Sequence, residues 1–280
     1  MSEGAAWAAN CSMLFRERPL LERPEAAFAA GFDAIEFWWP FSVPVPSRPE
    51  VDAFVGAVER SGVRLVALNL WAGDLAGADC GVASLPDRSE ELVSSLDVAT
   101  RIGDALGVTA FNALYGNRDP AWTSQDQDRT AMLALGAAAE AAAGIGASIL
   151  VEPISGPKPY PLRTSDHAAS VVDQLRTSAS INVGLLCDVY HLAANGDDPV
   201  AAIERHGQLI THVQVADHPG RHEPGTGSID LNGCLSALDR VGFDGWIGLE
   251  YLPSTTTEDG LGHVAELGVP LVPRSTRRTS

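Results

Sequence analysis

The segment SGVRLVALNL, residues 61–70, joins the end of a helical segment to a buried strand. Gly62 is suited to stop a helix because glycine tolerates the left-handed backbone conformation. The apolar run that follows is typical of a strand. The same joint recurs in AGFDAIEF from Ala30, LGVTAFNAL from Leu106, AGIGASILVE from Ala143 and VGFDGWIGLE from Val241. The sequence therefore predicts a repeated strand and helix unit.

Eight strands are predicted, most of them continuous apolar runs of the kind found in parallel sheets covered on both faces. They lie at residues 7–13, 34–39, 64–70, 108–114, 148–154, 183–189, 210–216 and 245–251. The segments between them show the 3.6-residue period of helices with one buried face. We predict an α/β fold, a single-domain (β/α)8 TIM barrel at residues 1–265, followed by a flexible C-terminal tail at 266–280. The doubly wound alternative is disfavoured because no GxGxxG motif follows an early strand.

The composition restricts the partners and the cellular compartment. With 36 acidic against 19 basic residues and a net charge of −17, the chain lacks the basic surface that nucleic acids or anionic membranes require. No apolar run reaches the roughly 18 residues of a membrane span, and no basic segment precedes an apolar one at the N-terminus. The four cysteines are far apart and form no CxxC pair. We therefore expect a cytoplasmic protein with reduced thiols, no nucleic acid and no membrane partner.

Polar residues stand at the ends of all eight predicted strands, where barrel enzymes carry their catalytic groups. They are Asn10, Glu36, Asn69, Asn112, Glu152, Asp188, Gln214 and Glu250. Asn10 and Asn112 alone are read as turn residues or satisfied buried groups.

The last four of these residues come from successive strands and are expected to converge near the barrel mouth. Three carboxylates and an amide oxygen suit a divalent metal, Mg²⁺ or Mn²⁺ first, with Zn²⁺ or Co²⁺ as alternatives. Pairing with buried basic residues is the alternative interpretation, but the strands contain few of them.

Several segments resemble the hydroxypyruvate isomerase family, which belongs to the xylose isomerase-like TIM barrel superfamily. They are NCSMLF from Asn10, NLWAGD from Asn69, LVEPIS from Leu150, CDVYH from Cys187, HVQVADHPGRHEPGTG from His212 and GLEYLPSTTTEDGL from Gly248. The resemblance runs from about residue 8 to about residue 261. The long HxQxADxPGRxEPGTG run is the most specific of these motifs.

The resemblance implies an aldose–ketose type isomerase, an intramolecular oxidoreductase acting on a small hydroxy-keto acid such as hydroxypyruvate. It implies that Glu152 and Glu250 are the catalytic acid and base, and that these two residues with Asp188 and Gln214 bind the metal. The chemistry of the residues agrees, since moving a carbonyl by one carbon needs proton removal and return through an enediolate that a cation stabilises.

Seven further residues are predicted to contact the substrate. Arg221 could hold a substrate carboxylate through its guanidinium. The histidines could hold substrate oxygens or orient ligands, and two of the loop residues could instead cross-link the loop. The predicted set is Arg221, His191, His212, His222, Glu223, Asn69 and Glu36.

The sequence also departs from the family pattern around the pocket. After Glu152 it reads SGPKPYPLRT, with Ser155 and Lys158 in place of the usual residues, and Leu252 follows Glu250-Tyr251 where lysine is common. The isomerase chemistry is therefore better supported than hydroxypyruvate as the substrate, and a small hydroxy-keto acid or a ketose is expected.

Three other functions remain open. The same site could serve an epimerase or dehydratase acting on a keto sugar. An abasic-site nuclease would need a histidine-rich multi-zinc cluster and a basic groove, against seven histidines and a charge of −17. A metabolite-binding barrel without activity is the fourth interpretation. The identity of the metal and the oligomeric state, including a homo-oligomer, are left open by the sequence.

Overall fold

Eight parallel strands close into a barrel in chain order, with β8 bonded to β1. The computed structural model describes residues 5–178, 182–269 and 271. The strands are β1 (Ala6–Asn10), β2 (Ala34–Phe37), β3 (Arg64–Asn69), β4 (Ala110–Asn112), β5 (Ser148–Val151), β6 (Val183–Asp188), β7 (Ile210–Val215) and β8 (Trp246–Leu249). The predicted single-domain TIM barrel is confirmed.

Nine α-helices connect or follow these strands within the described residues. They are α1 (Arg23–Ala29), α2 (Arg48–Ser61), α3 (Ser89–Leu106), α4 (Ser124–Ala143), α5 (Ser165–Ser178), α6 (Val189–Asn195), α7 (Pro199–His206), α8 (Leu231–Arg240) and α9 (Thr257–Glu266). No helix in these ranges combines the length and the apolar character needed to cross a membrane.

The glycine joints that predict the repeat have the expected conformation. Gly62 follows the last residue of α2 with φ 81°, and Gly107 follows α3 with φ 70°. Both angles lie in the left-handed region, which a residue with a Cβ atom adopts at a cost. Each glycine therefore ends its helix and turns the chain toward the next strand.

Several strands are shorter than predicted at their carboxyl ends. The clearest case is β4, which spans Ala110–Asn112, whereas the apolar pattern predicts 108–114. Ala113 and Leu114 are buried beyond the end of this strand. An apolar run indicates that residues are buried, but not that they are hydrogen-bonded to a neighbouring strand. Buried loop residues therefore make the predicted strand longer than the observed one.

The structure bears differently on two further expectations, the state of the cysteines and the boundary of the tail. The four cysteines are free and buried, as expected for packed thiols. The tail boundary stays a prediction, because α9 ends at Glu266 while residues 270 and 272–280 lie outside the described residues.

The barrel interior is built in layers, because residues two apart on a strand point to the same side. One layer contains small or apolar residues, with Ala67, Ala110, Leu150 and Leu186 forming one buried cluster. Two residues further along each strand comes a layer of polar side chains. This upper layer consists of the eight polar residues at the predicted strand ends, all of them buried. The fold therefore concentrates carboxyl and amide groups at the carboxyl end of the barrel.

Candidate active site

Four buried side chains converge where β5, β6 and β8 end. Glu152, Asp188, His191 and Glu250 each offer one ligand atom, and these atoms all lie within 4.8 Å of one another. Three of them come from the polar layer, and His191 comes from the first turn of α6. The expected convergence of the three carboxylates is thus present, and their oxygens could hold a metal ion.

Glu250 makes the most contacts within this group. One of its carboxylate oxygens accepts hydrogen bonds from Asn10 Nδ2 at 2.9 Å and from Trp38 Nε1 at 2.6 Å. The other oxygen pairs with the Arg221 guanidinium, whose Nε also donates to the Glu250 carbonyl at 3.2 Å. Burial, opposed in part by Arg221, raises the pKa of the Glu250 carboxyl to about 8. Glu250 can therefore exist in either protonation state near neutral pH.

Glu152 is oriented through one oxygen and keeps the other free. Its Oε2 accepts a hydrogen bond from Asn112 Nδ2 at 2.7 Å. Oε1 lies 3.8 Å from His191 Nε2, beyond hydrogen-bond range. Burial, and then the negative charges of Glu250 and Asp188, raise the pKa of Glu152 well above its ordinary value. This carboxyl is suited to exchange a proton with a ligand.

Asp188 serves both the helix and the site. Its Oδ1 caps α6 by accepting the N–H groups of Tyr190 at 2.8 Å and His191 at 3.3 Å. Its Oδ2 is buried and has no hydrogen-bond partner among the described residues. Burial raises the pKa of Asp188 to about 6, although Arg221 lowers it.

Glu36 lies across the barrel and fixes the side chain of Gln214. Its carboxylate accepts hydrogen bonds from Asn10 Nδ2 at 2.8 Å, Gln214 Nε2 at 2.6 Å and His212 Nε2 at 2.6 Å. Because the Gln214 amide nitrogen is held by Glu36, its Oε1 is left buried and without a partner in the described part of the chain.

The donor atoms therefore fit a hard divalent cation. Among the described residues, two buried oxygens, Asp188 Oδ2 and Gln214 Oε1, accept no hydrogen bond, and Asp188 Oδ2 has only the more distant Arg221 guanidinium at 3.6 Å. A buried polar atom without a hydrogen bond costs about 1–3 kcal/mol. A cation between the strand ends would satisfy both oxygens and offset the repulsion among the three carboxylates.

His191 is prepared to donate a hydrogen bond from Nε2. The backbone N–H of Ser155 donates to His191 Nδ1 at 3.0 Å, so Nδ1 must carry the lone pair. In the neutral imidazole the proton then sits on Nε2, which faces Asp188 at 3.6 Å and Glu152 at 3.8 Å. Burial, and then Arg221, hold the pKa of His191 well below its ordinary value. His191 therefore suits a substrate oxygen or a carboxylate better than a metal ion.

A cavity of about 210 Å³ opens above these groups. Its wall includes five of the predicted site residues, namely Asn69, Glu152, His191, Arg221 and Glu250. Trp38, Tyr160 and Ile154 give it an apolar side. The pairing of carboxylates with apolar walls strengthens electrostatic interactions with a bound ligand.

Four predicted substrate contacts lie elsewhere. Glu36 and His212 are bonded to each other in the barrel interior and are not among the residues that line the cavity. Glu223 accepts both the N–H and the hydroxyl of Ser254 at 2.7 Å. His222 Nδ1 lies 2.9 Å from the Leu252 carbonyl. Glu36 and His212 thus pair inside the barrel, and His222 and Glu223 link the loops after β7 and β8. A substrate contact by these four residues stays a prediction.

The loop after β7 is shaped by Asp217, to which sequence reasoning gave no role. Its carboxylate accepts the backbone N–H groups of His218 at 2.8 Å, Gly225 at 2.9 Å and Ile229 at 3.1 Å. This framework presents Arg221 to the site in a left-handed conformation, φ 59°, which is uncommon for a residue with a side chain.

The sequence predicts no role in the site for two asparagines that contact it directly. Asn10 and Asn112 each bond directly to one of the two predicted catalytic carboxylates. Their position at strand ends was the available signal. The carboxylates occupy the same kind of position. A place at a strand end therefore predicts that a residue belongs to the polar layer, but not which side chain it bonds to.

Comparison with known proteins agrees with this geometry. Residues 24–267 match the family model described as xylose isomerase-like TIM barrel. A Streptomyces coelicolor protein provisionally named hydroxypyruvate isomerase is 47% identical, with 87% of this chain and 89% of that protein covered. A Pectobacterium atrosepticum protein named 2-oxo-tetronate isomerase is 33% identical, with 91% and 95% covered.

A solved structure gives the same result for the fold. The crystal structure of a Brucella melitensis protein described as AP endonuclease, family 2, superposes with a TM-score of 0.84 at 30% identity. The match covers 93% of this chain and 98% of that chain. The predicted resemblance to the hydroxypyruvate isomerase family, and with it the expectation of an isomerase enzyme, is confirmed by the curated relatives. The chain belongs to the xylose isomerase-like TIM barrel family.

Proposed function

We propose that this enzyme interconverts a small hydroxy-keto acid and its aldehyde isomer by proton transfer between Glu152 and Glu250, with a divalent metal bound at the strand ends. One observation carries the proposal. Two buried carboxyls with raised pKa values line one cavity, with ligand atoms within 4.8 Å of each other. Carboxyls that change protonation state near neutral pH are the groups that proton transfer at carbon requires.

The reaction balances with these two residues. One carboxylate removes a proton from the carbon that bears the hydroxyl, and the carbonyl π electrons move to oxygen to give an enediolate. The partner carboxylic acid then delivers a proton to the former carbonyl carbon. The hydroxyl proton passes from one oxygen to the other, so atoms and charge are conserved. The free Oε1 of Glu152 and the Arg221-paired Glu250 give the two groups different environments, which supports distinct acid and base roles.

The metal is held by side-chain oxygens in this proposal. Glu152, Asp188, Gln214 and Glu250 would bind it, and their hard oxygen atoms favour Mg²⁺ or Mn²⁺. A bound divalent cation supplies positive charge that stabilises the enediolate. His191 Nε2–H and the Arg221 guanidinium face the cavity as donors for the substrate oxygens.

The substrate is a short hydroxy-keto acid. The names of the curated relatives carry hydroxypyruvate and 2-oxo-tetronate, which are acids of this class. The cavity of about 210 Å³ lies below the range of about 300–1,000 Å³ typical of sites for drug-sized ligands. A small metabolite therefore fits this site better than a large one.

Product analysis in D₂O tests the function. The purified enzyme is incubated with hydroxypyruvate or 2-oxo-tetronate and Mg²⁺ or Mn²⁺, and the products are followed by NMR. The carbonyl is expected to move by one carbon, which gives an aldehyde from hydroxypyruvate and a 3-keto acid from 2-oxo-tetronate. Deuterium beside an unmoved carbonyl would instead indicate an epimerase, and loss of a β-hydroxyl would indicate a dehydratase. Cleavage of abasic DNA without any keto-acid turnover would indicate the nuclease reaction.

A further inference from the structure

Lys158 is the only lysine in the 280-residue sequence, whose other basic side chains besides histidine are all arginines. It lies in the loop between β5 and α5, and it lines the cavity that Glu152 and Glu250 share. Lysine differs from arginine in presenting a compact charge with three rotatable donors on a flexible chain. Lys158 is therefore the one residue of the cavity wall that supplies a side-chain ammonium group.

The Lys158 ammonium is tethered without being neutralised. Its Nζ donates to the backbone carbonyl of Asp79 at 2.6 Å. An ammonium has three donors, so two remain. The Asp79 carboxylate is occupied by Arg88 Nη1 at 2.8 Å and by the N–H of Asp74 at 2.8 Å. Among the described ion pairs, none involves Lys158.

The other cation in the cavity wall is already engaged. Arg221 pairs with the Glu250 carboxylate, lies 3.6 Å from Asp188 Oδ2 and stacks 5.1 Å from the Tyr190 ring. Its charge is shared by two carboxylates before any ligand enters. The proposed divalent metal and Arg221 together balance the three buried carboxylates, so an anionic substrate needs a further positive charge.

We propose that Lys158 binds the carboxylate of the substrate and thereby sets the preference of this site for hydroxy-keto acids over neutral ketoses. This inference rests on the proposed isomerase function and adds its specificity-determining residue. Lys158 reaches from the β5–α5 loop to the Asp79 carbonyl in the loop between β3 and α3. Its remaining N–H groups act at the cavity wall, while Glu152 and Glu250 act on the carbons.

Ligand binding with two matched compounds tests the assignment. Glycerate carries the carboxylate and no reactive carbonyl, and glycerol replaces that carboxylate with a hydroxymethyl group. Their affinities are measured calorimetrically on the Mg²⁺-loaded wild type, Lys158→Met and Lys158→Arg. We expect Lys158→Met to weaken glycerate binding roughly 10- to 100-fold, as for a lost charge-assisted hydrogen bond, and to leave glycerol binding unchanged. Lys158→Arg should retain part of the preference.

The kinetic counterpart compares hydroxypyruvate with dihydroxyacetone, its neutral analogue. Lys158→Met should raise KM for hydroxypyruvate with little change in kcat, and leave dihydroxyacetone turnover unaltered. Equal glycerate affinity in wild type and Lys158→Met, no glycerate preference in the wild type, or parallel losses for the charged and neutral compounds would each overturn the inference. If the wild type binds glycerate through Lys158 but isomerises neither hydroxypyruvate nor 2-oxo-tetronate, the proposed function is refuted and the role of Lys158 in binding is not.

A single lysine also allows a test that needs no variant. Acetylation of Lys158 in the wild type is followed by mass spectrometry with increasing glycerate or glycerol. Protection by glycerate and none by glycerol is expected. Equal protection by both compounds, or none by either, would overturn the inference even if Lys158→Met failed to fold.

Discussion

The metal-free enzyme should lose stability as the pH rises from about 5 to about 8. Burial raises the pKa of Asp188 to about 6 and of Glu250 to about 8, and it raises the pKa of Glu152 well above its ordinary value. In this window the three folded carboxyls hold protons that they release in the unfolded chain. His191 acts in the opposite direction below its ordinary pKa of 6.5, because it is neutral in the folded protein and protonated in the unfolded chain, but it is one group against three. Because the carboxyls bind more protons in the folded state, their contribution to stability is complete at pH values below their unfolded pKa values. It is lost as the pH rises through their folded pKa values.

The size of the effect follows from the shift of Glu250. A rise from 4.5 to about 8, at 1.36 kcal/mol per unit, corresponds to roughly 5 kcal/mol. The three carboxyls interact, so their contributions overlap and we take 3–5 kcal/mol as the order of magnitude for the group. At about 2–4 °C per kcal/mol for a chain of this size, the Tm should fall by roughly 10 °C.

Thermal unfolding followed by circular dichroism measures this directly. EDTA-treated enzyme is compared with Mg²⁺- or Mn²⁺-loaded enzyme across the pH window. A metal ion binds the ionised carboxylates more tightly than the protonated ones, so its stabilisation should grow with pH. Glu250→Gln should flatten the pH dependence of the metal-free protein, while Glu204→Gln, an exposed partner of Arg240, should retain it. A metal-free Tm that is constant or rises from about pH 5 to about pH 8 would refute the assignment of raised pKa values.

Two further substitutions test the support beneath the site. Gln214→Leu should weaken Mn²⁺ binding at least about tenfold by calorimetry, since it removes the Oε1 donor; unchanged affinity would exclude Gln214 as a ligand. Gly248→Ala should cost about 1–3 kcal/mol in urea unfolding, because its methyl group would lie 2.5 Å from both Glu36 carboxylate oxygens. Gly136→Ala in α4, where a methyl group meets nothing within 4 Å, is the matched control and should not destabilise.

The barrel could be predicted because its determinants are local. Glycine joints such as Gly62 and Gly107 mark where each helix stops, and continuous apolar runs mark the strands covered on both faces. The polar residues at the strand ends could be recognised in the same way, because each predicted strand places one of them in the barrel interior near its carboxyl end. Glu152, Asp188 and Glu250 could therefore be grouped without coordinates.

The partner of each polar group could not be predicted, because barrel closure decides it. Glu36 and His212 are 176 residues apart and meet only because β2 and β7 face each other across the interior. The protonated nitrogen of His191 depends on the backbone N–H of Ser155 in a loop. Loop geometry of this kind has no periodic signature, and the same holds for the tether of Lys158 to Asp79.

The central claim is that Glu152 and Glu250 transfer the protons. Its most direct test is the turnover of hydroxypyruvate and 2-oxo-tetronate in D₂O by Glu152→Gln and Glu250→Gln, with circular dichroism to verify folding. Each substitution should lower kcat by about 10²- to 10⁴-fold, which is the usual contribution of a general acid or base. The rate of deuterium incorporation into the product should fall as well. Folded variants that both turn over these acids and incorporate deuterium at the wild-type rate would contradict the mechanism.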